Sequence, residues 1–178
     1  MRLRFLGTGT SFGIPVIGCG CATCTSADPR DRRTRHAAIV ESDDGARRVL
    51  VDTPPELRLQ LIDARIARVD AVWFTYCHAD HVHGIDDLRA FSVRGADTVT
   101  AFADEDCARI LRSKFDYIFD ASYRAPTGMT LPEVRLETYR AGEPVDIAGF
   151  RFIPLAVPHG RVTVHGFRVG DLGYITDA

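Results

Sequence analysis

Lysine is all but missing from this chain of 178 residues: Lys114 is the only one, and arginine supplies the rest of the 22 basic side chains. Acidic and basic residues nearly balance, leaving a formal net charge of −2. With no excess of either sign there is no global field to draw in nucleic acid or an anionic membrane surface. Long hydrophobic runs are missing too. The opening stretch MRLRFLGTGTSFG is too broken for a signal peptide or a membrane span, which predicts a cytoplasmic protein with reduced cysteines. Repeats, low-complexity tracts and linkers are absent, so residues 1–178 read as one domain. Hydrophobic residues make up 46% and charged residues 26%, a composition that excludes disorder and allows a sizeable core. No serine or cysteine stands beside a recognisable base, which argues against a covalent enzyme intermediate.

What is present begins with strands. RLRFL (2–6) alternates, and AAIVES (37–42) with RRVLVD (47–52) reads as a hairpin around DDGA. Between them residues 7–35 form a long loop rich in Gly, Pro and Cys, a length that calls for a function or a staple. Pro55 opens a helix through ELRLQLIDARI, apolar at helical spacing. DAVWFTY (70–76) is a buried strand, GIDDLRAF (84–91) starts a helix, DTVTAFA (97–103) is a strand and DEDCARILRSKF (104–115) a helix. From about residue 133 the pattern is strand-like through EVRLETY, VDIAGFRFIPLAV, VTVHGFRVG and LGYITDA. The order predicts an α/β fold: two stacked mixed sheets with helices outside.

The densest chemistry is TYCHADHVHG (75–84), a short loop after an apolar strand that packs His78, Asp80 and His81 within four positions. Imidazole and carboxylate together suit zinc, manganese or iron. Asp52 ends one predicted strand, His159 (VPHG) another and Asp177 (YITDA) a third. Ligand-type residues on four strand tips predict a cleft at one sheet edge. Two cations about 3.5–4 Å apart there would generate a nucleophile at neutral pH. Taken singly, His159 also reads as a structural histidine, and Asp52 and Asp177 as turn residues.

Taken in order, FLGTGTS, CGCATC, VDTPPELR, YCHADHVHGIDDLR, PHG and TDA resemble the metallo-β-lactamase superfamily, and within it the PhnP-like branch around the phosphoribosyl cyclic phosphate phosphodiesterase. The resemblance spans nearly the whole chain. It implies an αβ/βα sandwich whose C-terminal half is incomplete here, and a Zn²⁺ or Mn²⁺ site with one or two ions. It places His78 and His159 on one cation, Asp80 and His81 on the other, and Asp177 between them. Asp52 and Tyr76 would stand beside these ligands, Asp52 orienting by hydrogen bonds. The implied reaction is hydrolysis of a phosphodiester or cyclic phosphate by a metal-bound hydroxide that Asp80 orients. Two departures bear on it. The family pattern H-x-H-x-D-H carries Tyr76 in place of its first histidine, and a late histidine expected on the second cation has no counterpart. These features define the alternatives: an impaired family member acting as a binding protein, or a fragment of a longer hydrolase. Bare apolar edges at the end of the chain would favour a homodimer.

Cys19, Cys21 and Cys24, spaced C-x-C-x-x-C, can hold one structural Zn²⁺ and staple the long loop, or remain free thiols, or close a Cys19–Cys24 disulfide after purification. In the branch that this chain resembles, such a zinc is completed by a distant C-terminal histidine. Here a water, a partner residue or a local histidine would take that place. Cys77 and Cys107 read as ordinary buried or loop cysteines. Arg30, Arg32, Arg33 and Arg35 form a run that either grips phosphate or faces solvent. GTGT (7–10) lacks the lysine of a phosphate-binding loop and reads as a tight turn. His36, His83 and His165 carry no assigned partner.

Overall fold

The computed structural model describes residues 1–93 and 98–178. The start of the predicted strand at Asp97 lies outside the described residues. Within them, period-2 alternation becomes a six-stranded sheet: β1 (Arg2–Gly7), β2 (Ala37–Glu41), β3 (Arg48–Val51), β4 (Ala71–Trp73), β5 (Val99–Asp104) and β6 (Val134–Tyr139), in that spatial order. The first three are antiparallel neighbours, and β3 through β6 run parallel. A second sheet of β7 (Val145–Ile147), β8 (Phe150–His159), β9 (Val162–Val169) and β10 (Leu172–Tyr174) is ordered β10-β9-β8-β7. Every pairing in it is antiparallel, so only the larger sheet is mixed, because short connections join all four strands of the smaller one.

The helices are α1 (Leu57–Asp63), α2 (Ala79–Val82), α3 (Arg89–Ser92), α4 (Glu105–Lys114) and α5 (Asp116–Phe119). The Asp104 side chain accepts from the Asp106 N–H and so caps α4. Leu57, Leu61 and Leu111 of these helices pack with Ile39, Leu50 and Val72 on one face of the larger sheet. The opposite face presents Val40, Val49 and Trp73 to Phe152 and Phe167 of the smaller sheet. Trp73 is the hub of that second layer, stacked on Tyr139 at 4.0 Å and on Phe152 at 5.3 Å. Its indole N–H donates to the His165 carbonyl at 3.1 Å, and the His165 N–H donates to the Thr75 carbonyl at 2.8 Å. These two bonds fasten β9 to the chain leaving β4, at the edge where the candidate residues gather. No helix among the described residues is long and apolar enough to cross a membrane.

Candidate metal centre

Asp52, His159 and Asp177 sit at or just past the ends of strands, and His78, Asp80 and His81 lie in or at the start of one short helical turn. Asp52 follows β3 with φ of +62°, a left-handed backbone that costs a non-glycine residue energy and is typical of functional sites. Its fully buried carboxylate accepts from the Thr75 N–H at 2.8 Å and the Thr75 hydroxyl at 2.7 Å, and lies 2.7 Å from His81 Nδ1. The predicted His/Asp loop is in fact one helical turn, α2, with His78 at its N-terminal boundary. That turn is clamped to the segment after β3. The Thr53 N–H donates to the His81 carbonyl at 2.7 Å, the Thr53 hydroxyl to the Val82 carbonyl at 3.2 Å, and the Gly84 N–H to the Thr53 carbonyl at 2.8 Å. Gly84 is required there, since a Cβ would stand 2.1 Å from the Pro54 carbonyl oxygen.

With Nδ1 engaged by Asp52, His81 turns Nε2 to two more carboxylates, Asp177 Oδ2 at 2.9 Å and Asp80 Oδ2 at 3.4 Å. Asp80, His81 and Asp177 each bring one donor atom within 4.8 Å of the others. Burial opposes a charged imidazole, but the Asp52 charge and the hydrogen bonds that His81 gives to Asp177 and Asp52 outweigh it and raise the His81 pKa to about 11. Burial likewise opposes the Asp52 carboxylate, and the charge of His81 with the hydrogen bonds of His36 and His81 brings it down to about 2. His81 also holds Asp177 and Asp80 below the usual carboxylate range. Without a cation, a proton on His81 is what reconciles three converging carboxylates. Two carboxylates and an imidazole whose other nitrogen is fixed by a buried aspartate form a donor set that fits a divalent cation.

Asp177 lies beyond β10, also left-handed with φ of +49°. The Tyr76 hydroxyl donates to its Oδ2 at 2.6 Å. The Tyr76 ring, 4% exposed, lies 4.5 Å from His78, 4.4 Å from His81 and 5.9 Å from His159, centroid to centroid. His78 and His159 face each other edge-on at 6.3 Å. Of the five predicted donors, Asp80, His81 and Asp177 bring their donor atoms together, and His78 and His159 lie around the Tyr76 ring beside them. Arg109 and Arg161 line a cavity of 280 Å³ that also has Tyr76 and His78 on its wall.

His36, without a partner in the sequence reading, belongs to this cluster. Its Nδ1 is 3.3 Å from Asp52 Oδ2, its ring stacks on His81 at 5.2 Å, and its Nε2 meets the Tyr174 hydroxyl. A signal for it existed: β2 pairs Ala38 with Val51 in antiparallel register, which carries His36 to the level of the Asp52–Thr53 segment. Thr75 was equally unmarked. His83, by contrast, packs edge-on against Phe115. Cys19, Cys21 and Cys24 bring their sulfurs within 4.8 Å of one another, and the Cys24 N–H with the Cys19 thiol lowers the Cys21 pKa to about 7. Three such thiols fit a tetrahedral cation. In the arginine run, Arg30 pairs with Asp28 at 2.6 Å, Arg33 donates to the Thr8 hydroxyl, and Arg35 holds Glu56 and the Ser11 carbonyl. Arg32 and Arg33 line a 630 Å³ cavity whose walls carry none of the candidate donors. Cys77 is half-buried against the apolar layer, and Cys107 is buried within it.

The family model for the beta-lactamase superfamily domain matches residues 47–178, and the chain belongs to that superfamily, in its metallo-β-lactamase form. Within it, the chain is a PhnP-like member. It is 36% identical to a diphosphatase of the PhnP family whose crystal structure superposes with a TM-score of 0.83, covering 97% of this chain and 64% of that one. A Porphyromonas gingivalis (strain ATCC BAA-308 / W83) protein described as octanoyltransferase is 34% identical over 177 residues, 99% of this chain and 35% of that protein. Zn²⁺-bound PqqB from Methylobacterium extorquens, 20% identical, shares the fold with a TM-score of 0.72 over 96% of this chain and 62% of its own. The chain spans about a third of the length of the curated relatives it matches.

Proposed function

We propose that the chain is a metal-dependent hydrolase of phosphodiester or diphosphate bonds in a small molecule. One observation carries this reading: Asp80, His81 and Asp177 converge within 4.8 Å, with His81 fixed from behind by buried Asp52. When bound, a divalent cation supplies a water-derived nucleophile at neutral pH and neutralises charge on the phosphoryl oxygens. The protein's own contribution is positional. Asp52 and Thr75 hold His81 so that Nε2 faces the site, and the Thr53 clamp on α2 fixes Asp80 beside it. Asp80 orients the attacking water, and His78 and His159 stand on the other side of Tyr76. Arg109 and Arg161, on the wall of the adjoining cavity, match phosphate oxygens in geometry and charge. The likeness to a PhnP-family diphosphatase supports phosphorus as the centre attacked.

The test is hydrolysis of three probes: bis(4-nitrophenyl) phosphate, a five-membered cyclic phosphodiester and an organic diphosphate. At least one should be turned over, a chelator should stop turnover, and Asp80→Asn should lower kcat by about 10²–10⁴-fold. Turnover indifferent to both chelator and Asp80→Asn would remove the proposal. A folded protein that binds cation and turns over none of the three would favour the competing reading of a binding protein, which Tyr76 supports.

A further inference from the structure

Asp177 Oδ2 is contacted from two sides, by His81 Nε2 at 2.9 Å and by the Tyr76 hydroxyl at 2.6 Å. A carboxylate that bridges two cations must offer a lone pair to each. On the His81 side the neighbours are donors suited to a cation, Asp80 and His81 itself. On the other side the same oxygen accepts the phenol O–H, and the phenol ring fills the space between His78, His81 and His159. The ring is 4% exposed, so it does not swing into solvent without opening the layer around it. A cation placed between His78, His159 and Asp177 would have to displace both that hydrogen bond and the ring.

From this we infer that Tyr76 limits the centre to a single cation, held by Asp80, His81 and Asp177, and leaves His78 and His159 free to contact substrate. The inference rests on the metal-centre reading above and concerns its stoichiometry. The phenol occupies one direction of the Asp177 carboxylate, and the second cation's place is taken by the ring. Replacing Tyr76 with a smaller ligand-type side chain should open that place, since His78, His159 and Asp177 already surround it.

The experiment counts ions rather than turnover. The full chain and its Asp80→Asn/Asp177→Asn double variant are loaded with Zn²⁺, and bound zinc is measured by elemental analysis and calorimetric titration. Subtracting the variant removes the cysteine cluster from the count. The difference should be one ion per chain, Tyr76→Phe should keep it at one, and Tyr76→His should raise it to two. Where Tyr76→His does not fold, as judged by circular dichroism, Tyr76→Asp supplies a shorter ligand with the same expected rise. Two ions in the unaltered chain, or no rise in either folded variant, would overturn the inference and leave the hydrolase reading standing. No difference between the chain and the double variant would overturn both. Failure to hydrolyse any probe touches the hydrolase reading alone, since the ion count does not depend on turnover.

Discussion

Asp52 holds His81 at 2.7 Å and lies 3.3 Å from His36, so two imidazoles face its buried carboxylate. The pH consequence has a definite sign for protein stripped of metal. The His81 pKa is raised from 6.5 to about 11, so the pair stabilises the fold fully below 6.5 and progressively less as pH rises toward about 11. On the acid side the Asp52 pKa is lowered from 3.8 to about 2, so its share is intact above 3.8 and lost as pH falls toward about 2. Denaturant midpoints of the chelator-treated protein should therefore fall with rising pH above 6.5. Asp52→Asn, which suits the left-handed backbone without carrying charge, should be less stable at neutral pH and should flatten that slope. A slope unchanged by Asp52→Asn would mean that other groups set it. Tyr76 stands apart from these residues because its hydroxyl meets Asp177 as a donor, where a histidine would meet a cation as an acceptor.

At the scale of elements, α2 is one turn that exists because it is clamped from outside. Its four residues cannot sustain a helix by themselves. The clamp runs through Thr53 and through Gly84, where a methyl group would collide with the Pro54 carbonyl. Gly84→Ala should cost about 1–3 kcal/mol of folding stability by overpacking, and should weaken Zn²⁺ binding because Asp80 and His81 move with the turn. Urea unfolding of the chelated protein and zinc titration read the two effects separately. The same turn shows where the sequence stops being informative. The β2–β3 hairpin, α1, β4 and α4 all carry a period or a cap and were legible. The turn α2 has too few residues to show a period, and it was read as loop. VDIAGFRFIPLAV read as one strand run because its break falls at Ala148–Gly149, with φ of +49° and +77°, and alanine does not announce a left-handed turn. Of the site, the ligand-type residues were legible from their types and their places after strands. Thr75 was not, because its role arises from a neighbouring strand, and His36 was within reach only through the register of the β2–β3 hairpin. The left-handed backbone of Asp52 and Asp177 is likewise imposed by the surroundings.

At the scale of the whole molecule, the two sheets share one aromatic layer centred on Trp73, which is fully buried and gives its indole N–H to β9. Trp73→Ala should cost about 3–5 kcal/mol, from lost packing and the cavity left behind. Part of the loss should come from the His165 carbonyl left without its donor. Equilibrium unfolding followed by circular dichroism measures it, and a loss well under this range would mean that Tyr139 and Phe152 repack across the gap. Trp73→Phe, which keeps most of the stack and removes the N–H, isolates the hydrogen bond at about 1 kcal/mol.

Asp80 and His81 follow strands of the larger sheet, whereas Asp177 follows the last strand of the smaller one. Whatever sits among the three carboxylate and imidazole donors is thus a rivet through both halves of the sandwich. Occupancy and integrity become one equilibrium: each tenfold rise in free ion above the dissociation constant tightens the joint by about 1.4 kcal/mol. Deuterium uptake at β9, β10 and the residues around Tyr76 should slow as the ion is added, while the helical flank under α4 keeps its own pace.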